Sequence, residues 1–168
     1  MTHRLLLLRH AKSSWDDESL PDHDRPLAKR GRKAAELVGA HLRASGPRPD
    51  LVLCSSATRT RETLELLSLE DPQVRIEDDL YGADDGALLA RVRLLPEDAG
   101  TVLLIGHNPA MQDLAIRLAG PGAGEQAARL REKFPTAALA VYEIGGVWGS
   151  LAADVAHLSS LVLPRELR

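Results

Sequence analysis

The sequence predicts a three-layer α/β/α sandwich with a mostly parallel central sheet and an antiparallel edge strand. Short apolar runs typical of buried strands alternate along the chain with longer segments whose apolar residues recur at helical spacing. Toward the C-terminus, two strand-like segments flank Gly145-Gly146, which indicates an antiparallel pair. The sequence contains no repeat, low-complexity tract or linker, so residues 1–168 are expected to form one domain.

The first half of the chain contains two predicted strands, each followed by a predicted helix. Residues 4–9 include four consecutive leucines and predict a buried strand. A helix is expected from Pro26 to about Ser45, where Gly46-Pro47 would end it. Residues 51–54 predict the second strand, and a second helix is expected over about 58–69. The first helix carries an apolar stripe made of Leu27, Gly31, Ala34, Ala35, Val38 and Leu42.

The second half begins with a short predicted strand at 74–76 and a helix near residues 84–95, which ends before Pro96. A strand over 101–106 follows. It leads into a helix that opens at Pro109, because proline suits the first turn of a helix.

The C-terminal part is expected to start with a flexible glycine-rich loop at 120–124 and a short polar helix over 125–133 lying against the sheet. Two strands are expected at 137–144 and 151–158, joined by a turn at Gly145-Gly146. These two strands supply the antiparallel edge of the predicted sheet.

Composition and charge exclude several classes of protein. A chain of 168 residues that is 44% apolar can fill one core. Its net charge of −3 gives no support for nucleic-acid binding, which favours a basic face. No segment is long enough for a signal peptide core or a membrane span, and a single cysteine fits a reducing compartment. We therefore expect a soluble, cytoplasmic protein with no membrane partner. It is also expected to be a monomer, because no heptad repeat is present.

Basic residues follow three of the predicted strands. Arg9-His10 ends the first strand, Arg59 lies shortly after the second, and His107 follows the strand over 101–106. Because the carboxyl ends of parallel strands meet at one edge of a sheet, these side chains are expected to converge. Arginine guanidinium groups match phosphate oxygens in shape and charge. The sequence therefore predicts a site for a phosphoryl group.

The predicted site is suited to phosphoryl transfer through a covalent intermediate. A neutral imidazole can attack phosphorus near neutral pH, so His10 is the candidate nucleophile. The transferred group carries its charge on three oxygens, which Arg9, Arg59 and His107 can stabilise. No dense carboxylate cluster for Mg²⁺ is visible, so neither a metal nor another cofactor is expected.

The residues around these positions resemble a known family. The segment Arg9–Trp15 resembles the Arg-His-Gly signature of the histidine phosphatase superfamily, which includes the cofactor-dependent phosphoglycerate mutases. Residues 55–63 resemble its second block, which places Arg59 on the pocket arginine, and Gly106-His107 matches the second pocket histidine. Residues 24–27, followed by Gly31, are similar to a block of the small members. The length and order of these blocks resemble the SixA-like phosphohistidine phosphatases, which implies the same fold and the same four pocket residues.

Two positions near the first motif depart from the mutases. Ala11 stands where glycine is usual, and Asp16 stands where an asparagine contacts phosphate. The resemblance implies that Ser13 binds phosphate, and no such role is expected of Asp16. Arg25 could bind phosphate at the rim of the pocket or could fix the loop before the helix, and the sequence favours neither.

The expected general acid is missing from its usual place. The mutases and sugar-phosphate phosphatases carry one after the third strand, and no acid in 77–85 falls clearly on that position. Asp84 and Asp85 are expected to cap a helix, although one of residues 78–85 could still reach the site. An alkoxide leaving group needs a proton, whereas imidazole leaves as a neutral base. The missing acid therefore favours phosphohistidine as substrate. The only candidate cover over the pocket is about 120–135, and such an open site also suits a protein side chain as substrate.

No catalytic role is expected of several other polar residues. Ser55 and Ser56 are expected to cap the helix that follows them, and His23 has no surrounding constellation. Cys54 ends a strand, as the nucleophile of cysteine phosphatases does. Those enzymes place five residues between cysteine and arginine, whereas Arg59 and Arg61 follow Cys54 after four and six. Cys54 is therefore interpreted as a buried core residue.

Three functions compete. The first is a metal-independent phosphatase that acts through His10 on phosphohistidine in a signalling or phosphocarrier protein. The second is a phosphatase of small phosphate esters that uses the same chemistry. The third is a phosphate-binding module without catalysis.

Overall fold

The computed structural model describes residues 2–122 and 124–167. Its centre is one six-stranded sheet. The strands are β1 (His3–Arg9), β2 (Leu51–Ser55), β3 (Gln73–Glu77), β4 (Thr101–Gly106), β5 (Leu139–Ile144) and β6 (Ala156–Val162). Their order across the sheet is β3-β2-β4-β1-β5-β6. The first four strands of that order are mutually parallel, and β5 pairs antiparallel with both β1 and β6. The predicted mostly parallel sheet with an antiparallel edge strand, β6, is confirmed.

Five helices cover the two faces of the sheet. They are α1 (Lys29–Ser45), α2 (Thr58–Leu67), α3 (Asp85–Arg93), α4 (Ala110–Ala119) and α5 (Glu125–Glu132). Side chains alternate between the faces along each strand. Leu5 and Leu7 of β1 therefore pack in one core with α3, α4 and α5, whereas Leu6 and Leu8 pack in a second core with α1 and α2. The predicted α/β/α sandwich is confirmed.

The bounds of two predicted elements were wrong. The first helix starts at Lys29 instead of Pro26, because Leu27 stays extended and forms an isolated antiparallel bridge with Ser13. The last strand starts at Ala156 instead of residue 151, because 3₁₀ turns at Trp148–Ser150 and Ala153–Val155 occupy the connection. Trp148 is fully buried there.

Three single residues of the sequence lie outside the described part of the structure. The predicted loop at 120–124 includes one of them, Ala123, and the predicted domain 1–168 includes the others, Met1 and Arg168. Gly120 ends α4 with a φ of 68°, a left-handed conformation that glycine adopts readily. Within the described ranges, no helix is both long enough and apolar enough to cross a membrane.

Gly31 fixes the segment after β1 against α1. A methyl group at this position would overlap the backbone of Lys12, so only glycine lets the helix approach that closely. Lys12 is two residues beyond His10, and its carbonyl accepts a hydrogen bond from Ala28 N at 2.9 Å. The start of α1 therefore supports the loop that carries the candidate nucleophile.

Candidate active site

The structure brings His10 and His107 together at the carboxyl edge of the sheet. β1 and β4 are neighbouring parallel strands with Arg9 opposite Gly106, so the residues that follow them emerge side by side. His10 N donates to Gly106 O at 3.0 Å, and the two imidazole rings have centroids 5.3 Å apart. The convergence expected of parallel strand ends is thus observed for these two side chains.

A hydrogen bond fixes which nitrogen of His10 carries the proton. Nδ1 lies 2.6 Å from Ala11 O, and because a carbonyl only accepts, Nδ1 carries the proton and donates. Nε2 is then left with its lone pair. Ala11 N in turn donates to Thr63 Oγ1, which donates to Arg59 O at 2.7 Å. The same chain of contacts therefore ties the His10 segment to the helix that carries Arg59.

Burial keeps His10 neutral. The residue is 7% exposed, and desolvation lowers the pKa of its imidazole to about 3, with His107, Arg59 and Arg9 acting in the same direction. The carbonyl of Ala11 acts in the opposite direction without reversing this shift. A neutral imidazole retains the lone pair that nucleophilic attack requires.

His107 is held on one side only. Its Nε2 is 2.8 Å from Ser55 Oγ, while the buried Nδ1 has no partner among the described residues. Burial, followed by the charge of Arg59, lowers the pKa of His107 to about 4. Ser55 thus contacts the second histidine, and α2 begins without a side-chain cap, so the capping role predicted for Ser55 and Ser56 was wrong.

Arg9 and Arg59 supply the positive charge of the site. Arg9 donates through NH1 to Phe134 O at 3.2 Å, and its buried Nε has no partner among the described residues. Burial and the nearby charge of Arg59 lower the pKa of Arg9. Arg59 is 7% exposed and acts on both histidines electrostatically. Two guanidinium groups and two neutral imidazoles therefore share one small region.

Arg59 contacts Asp22, a partner that the sequence did not predict. Arg59 donates through NH1 to Asp22 O at 2.8 Å and through NH2 to Asp22 Oδ2 at 3.0 Å. The same carboxylate accepts from Tyr81 Oη at 2.6 Å and from Arg25 NH1 at 3.0 Å. The hydrogen bond from Tyr81 is the largest cause that holds the pKa of Asp22 well below its usual range. Burial acts in the opposite direction, and the bonds from Arg59 and Arg25 add to the lowering. We refer to Asp22, Arg25, Arg59 and Tyr81 as the Asp22 network.

Ser13 lies beside the Asp22 network and contacts its member Arg25. Arg25 is 6% exposed, donates to Ser13 Oγ and to Ser14 O, and stacks 3.2 Å above the ring of Trp15. These contacts fix the loop before α1, which is one of the two roles that the sequence left open. The structure gives neither side chain a hydrogen bond to His10, and phosphate binding by Ser13 and Arg25 stays a prediction.

His23 and Tyr81 form an aromatic wall beside the pocket. The ring of Tyr81 stands edge-on to His107, with centroids 5.5 Å apart, and edge-on to His23 at 4.8 Å. His23 Nε2 is 2.9 Å from Ser56 Oγ. The expectation that His23 has no surrounding constellation was therefore wrong. These contacts join segments that are far apart in sequence. The sequence shows only that these side chains are able to form such contacts, not that they meet.

Glu77 at the end of β3 and Asp84 and Asp85 beyond it are engaged elsewhere. Asp84 Oδ1 accepts from Ala87 N at 2.8 Å, which confirms its predicted role as a helix cap. Asp85 pairs with Arg117, and Glu77 pairs with Arg91. Among the described residues, no group of three or more His, Cys, Asp or Glu is placed to hold a metal ion. Burial raises the pKa of the Cys54 thiol to about 12, which agrees with a core residue.

Fold and site together define a phosphatase with a histidine nucleophile. The family model of the histidine phosphatase superfamily (branch 1) matches residues 5–91, and the chain belongs to that superfamily. It is 41% identical over 160 residues to the uncharacterized protein Rv1276c of Mycobacterium tuberculosis (strain H37Rv), covering 94% of this chain and 100% of the relative.

Two solved structures share the whole fold. One is a candidate phosphohistidine phosphatase SixA from Nakamurella multipartitia, with a TM-score of 0.88, 35% identity, and coverage of 98% of this chain and 97% of that one. The other is a candidate SixA from Agrobacterium tumefaciens, with a TM-score of 0.83, 29% identity, and coverage of 96% and 98%. The resemblance to the SixA-like branch is confirmed.

Proposed function

We propose that this phosphatase hydrolyses phosphohistidine in a signalling or phosphocarrier protein, with His10 as nucleophile and Arg9, Arg59 and His107 as the phosphate clamp. One observation carries the assignment of the pocket. The two buried side-chain polar atoms without a partner in the described residues are Arg9 Nε and His107 Nδ1. Arg9 adjoins His10 in sequence, and the ring of His107 lies 5.3 Å from that of the neutral His10. Buried polar groups are normally hydrogen-bonded. Arg9 Nε is therefore suited to an oxygen acceptor on a ligand, and so is His107 Nδ1 in the tautomer in which Nε2 accepts from Ser55 Oγ.

The first half of the proposed reaction transfers the phosphoryl group to the enzyme. The lone pair on His10 Nε2 attacks phosphorus, a P–N bond to Nε2 forms, and the P–N bond of the substrate breaks. The bonding pair leaves with the substrate imidazole, which departs neutral because its other nitrogen already carries a proton. Arg9 and Arg59 offset the charge on the three phosphoryl oxygens during this step.

The second half regenerates the enzyme. Water attacks the phosphorus of phospho-His10, the P–N bond breaks, and its electron pair returns to Nε2. One proton of the water leaves to solvent or to the released phosphate. The Ala11 carbonyl holds the Nδ1 proton throughout, so the ring keeps its orientation in both halves.

The surroundings of the pocket favour phosphohistidine over a phosphate ester. An ester needs a proton donor for its leaving alkoxide. Asp84 caps a helix and Asp85 pairs with Arg117. The carboxylate of Asp22 stays ionised because its pKa is lowered. These acids are poor donors, whereas an imidazole leaving group needs none.

The segment after α5 borders the site without adding an acid. Phe134 O accepts from Arg9 NH1 and from Asn108 Nδ2 at 2.9 Å, and α5 itself packs against α4 through a bond from Gln112 Nε2 to Leu130 O. The contribution of the predicted cover over 120–135 to the site is thus the backbone carbonyl of Phe134. The single-domain extent, monomeric state, cytoplasmic location and independence from metals stay predictions.

A comparison of two substrates tests the proposal. Phosphate release is measured from a protein phosphorylated on histidine with phosphoramidate and from p-nitrophenyl phosphate, both with EDTA present and with His10→Ala as control. Faster turnover of the phosphoprotein, lost in the variant, is expected. A clear preference for the small ester would overturn the substrate class. No phosphate release from either substrate would overturn the proposed catalysis and favour a phosphate-binding module.

A further inference from the structure

A cavity of about 490 Å³ lies beside the candidate pocket, between the start of α1, the segment after α5 and the end of β6. Its wall carries four exposed cations, Lys12, Arg30, Lys133 and Arg165, and its floor includes the apolar side chains of Leu161 and Leu163. We refer to these four cations and the cavity they line as the basic cavity.

The basic cavity is physically joined to the nucleophile. Lys12 is two residues beyond His10, so their Cα atoms lie at most about 7 Å apart. Lys133, another lining residue, precedes Phe134, whose carbonyl accepts from Arg9. Ala137 N, four residues beyond Lys133, lies 3.0 Å from both Arg9 O and His10 O. A chain that places a phosphohistidine at His10 would therefore pass close to the cavity.

The charge of the basic cavity is not neutralised from within. None of its four cations forms an ion pair with the residues described. The residues that line the cavity include one carboxylate, that of Glu132. A fifth lining cation, Arg129, is paired with Glu166 at 3.1 Å. The whole chain, in contrast, has a net charge of −3. This excess of positive charge is local to one side of the site.

The exposure of these side chains indicates the kind of ligand. Lys12, Arg30, Lys133 and Arg165 are all exposed, so they form a wide cationic rim rather than an enclosed set of donors. A compact anion would gain little from such separated, solvated charges. Several carboxylates spread along a polypeptide can engage them together, and the apolar floor can pack against aliphatic side chains.

We propose that the basic cavity binds an acidic segment of the phosphoprotein whose phosphohistidine occupies the pocket, an inference that rests on the proposed function. An extended chain advances about 3.3 Å per residue. Carboxylates roughly two to six residues from the phosphohistidine would therefore reach the cavity. The positive field raises the encounter rate with such a segment and orients it relative to His10.

Two synthetic peptides test this proposal. Each carries one phosphohistidine, with four glutamates at positions two to six on both sides in the first peptide and glutamines at the same places in the second. At low salt, we expect kcat/KM to be about tenfold higher for the glutamate peptide. The double variant Arg30→Glu with Arg165→Glu is expected to bring that ratio close to one.

Arg75→Glu is the matched control. Arg75 is exposed on β3, at the opposite edge of the sheet, and the substitution reverses one arginine charge, as each substitution of the double variant does. It should keep the preference for the glutamate peptide. A ratio of one in the wild-type protein, or a ratio that survives in the double variant, would overturn the proposal.

A binding measurement separates this proposal from the proposed function. Fluorescein-labelled, unphosphorylated forms of the two peptides are titrated with protein and followed by anisotropy. Tighter binding of the glutamate peptide that is lost in the double variant would support the basic cavity even if neither phosphopeptide were hydrolysed. Equal binding of the two peptides would reject the cavity, whatever the activity.

Discussion

The two sides of the candidate pocket carry charge in different ways. On the side of α2 and the connection after β3, Asp22 accepts hydrogen bonds from Arg25, Arg59 and Tyr81. On the side of β5 and β6, the four cations of the basic cavity pair with no described residue. Paired charges fix geometry but cancel each other's field, whereas unpaired charges leave a field that reaches a partner. We therefore expect the first side to govern the chemical step and the second to govern capture of the substrate.

His10→Ala should have the largest effect, because it removes the proposed attacking atom. We expect kcat to fall by at least about 10⁴-fold with both the phosphoprotein and the small ester. Phosphate release measures the loss, and an unchanged melting transition by circular dichroism shows that the fold persists. Substantial residual turnover would assign the nucleophile to another residue.

Arg59→Ala tests whether the paired side acts on chemistry. Loss of one donor to the transferring phosphoryl group should lower kcat by a factor on the order of 10² to 10³ for both substrates. Arg61→Ala, two residues along the same helix, is the control and should change kcat little. A loss confined to the protein substrate would show that Arg59 acts in substrate capture and would contradict the proposed division between the two sides.

Asp22→Asn should have a smaller effect, because Asp22 positions Arg59 without contacting the reacting atoms in the proposed mechanism. We expect kcat to fall about tenfold, since the guanidinium keeps its bond to the backbone carbonyl but loses its charged partner. Tyr81→Phe removes one hydrogen bond from the same carboxylate and should cost less. An increase in kcat would show instead that Asp22 competes with phosphate for Arg59.

Low pH should decrease stability through His10 and His107. The pKa is lowered to about 3 in His10 and to about 4 in His107, against about 6.5 for an unfolded histidine. Between pH 6.5 and these values the unfolded chain binds more protons, so the free energy of unfolding decreases as the pH falls. Melting curves from pH 7 to pH 4 should show a smaller decline for His10→Ala than for the wild type. Parallel declines would contradict the buried neutral state of His10.

Added salt should have the smallest effect, and it separates the two sides most cleanly. The Debye length falls from about 10 Å at 0.1 M salt to about 3 Å at 1 M, so exposed charges are screened first. We expect kcat/KM for the glutamate phosphopeptide to fall about fivefold between 0.05 and 0.5 M NaCl. The rate with p-nitrophenyl phosphate should change much less. Equal salt dependence of both rates would remove the distinction between capture and chemistry.

Features fixed by local sequence could be predicted well. The strands that end at Arg9 and Gly106 are short apolar runs, and parallel strands must deliver their following residues to one edge. The adjacency of His10 and His107 therefore followed from pattern and topology. The cap formed by Asp84 was equally local, because its acceptor and donor are three residues apart.

Features that depend on contacts between distant loops could not be predicted. The hydrogen bonds of Asp22 reach Arg59 and Tyr81 across 37 and 59 residues, and no periodicity marks either pair. Ser55 and Ser56 precede a helix, which favours capping, yet their hydroxyls contact His107 and His23. The basic cavity likewise combines residues from four separate segments. Side-chain orientation in the folded state decides such contacts, and the sequence pattern does not encode it.

The bond between His10 Nδ1 and the Ala11 carbonyl also determines the regiochemistry of catalysis. With Nδ1 committed as a donor, only one of the two possible isomers of phosphorylated imidazole can form on this residue. Phosphoramidate bonds to imidazole hydrolyse quickly in acid and persist in alkali. An acid quench would therefore erase the covalent adduct. An alkaline quench would preserve it for identification, by phosphorus NMR, as a single isomer.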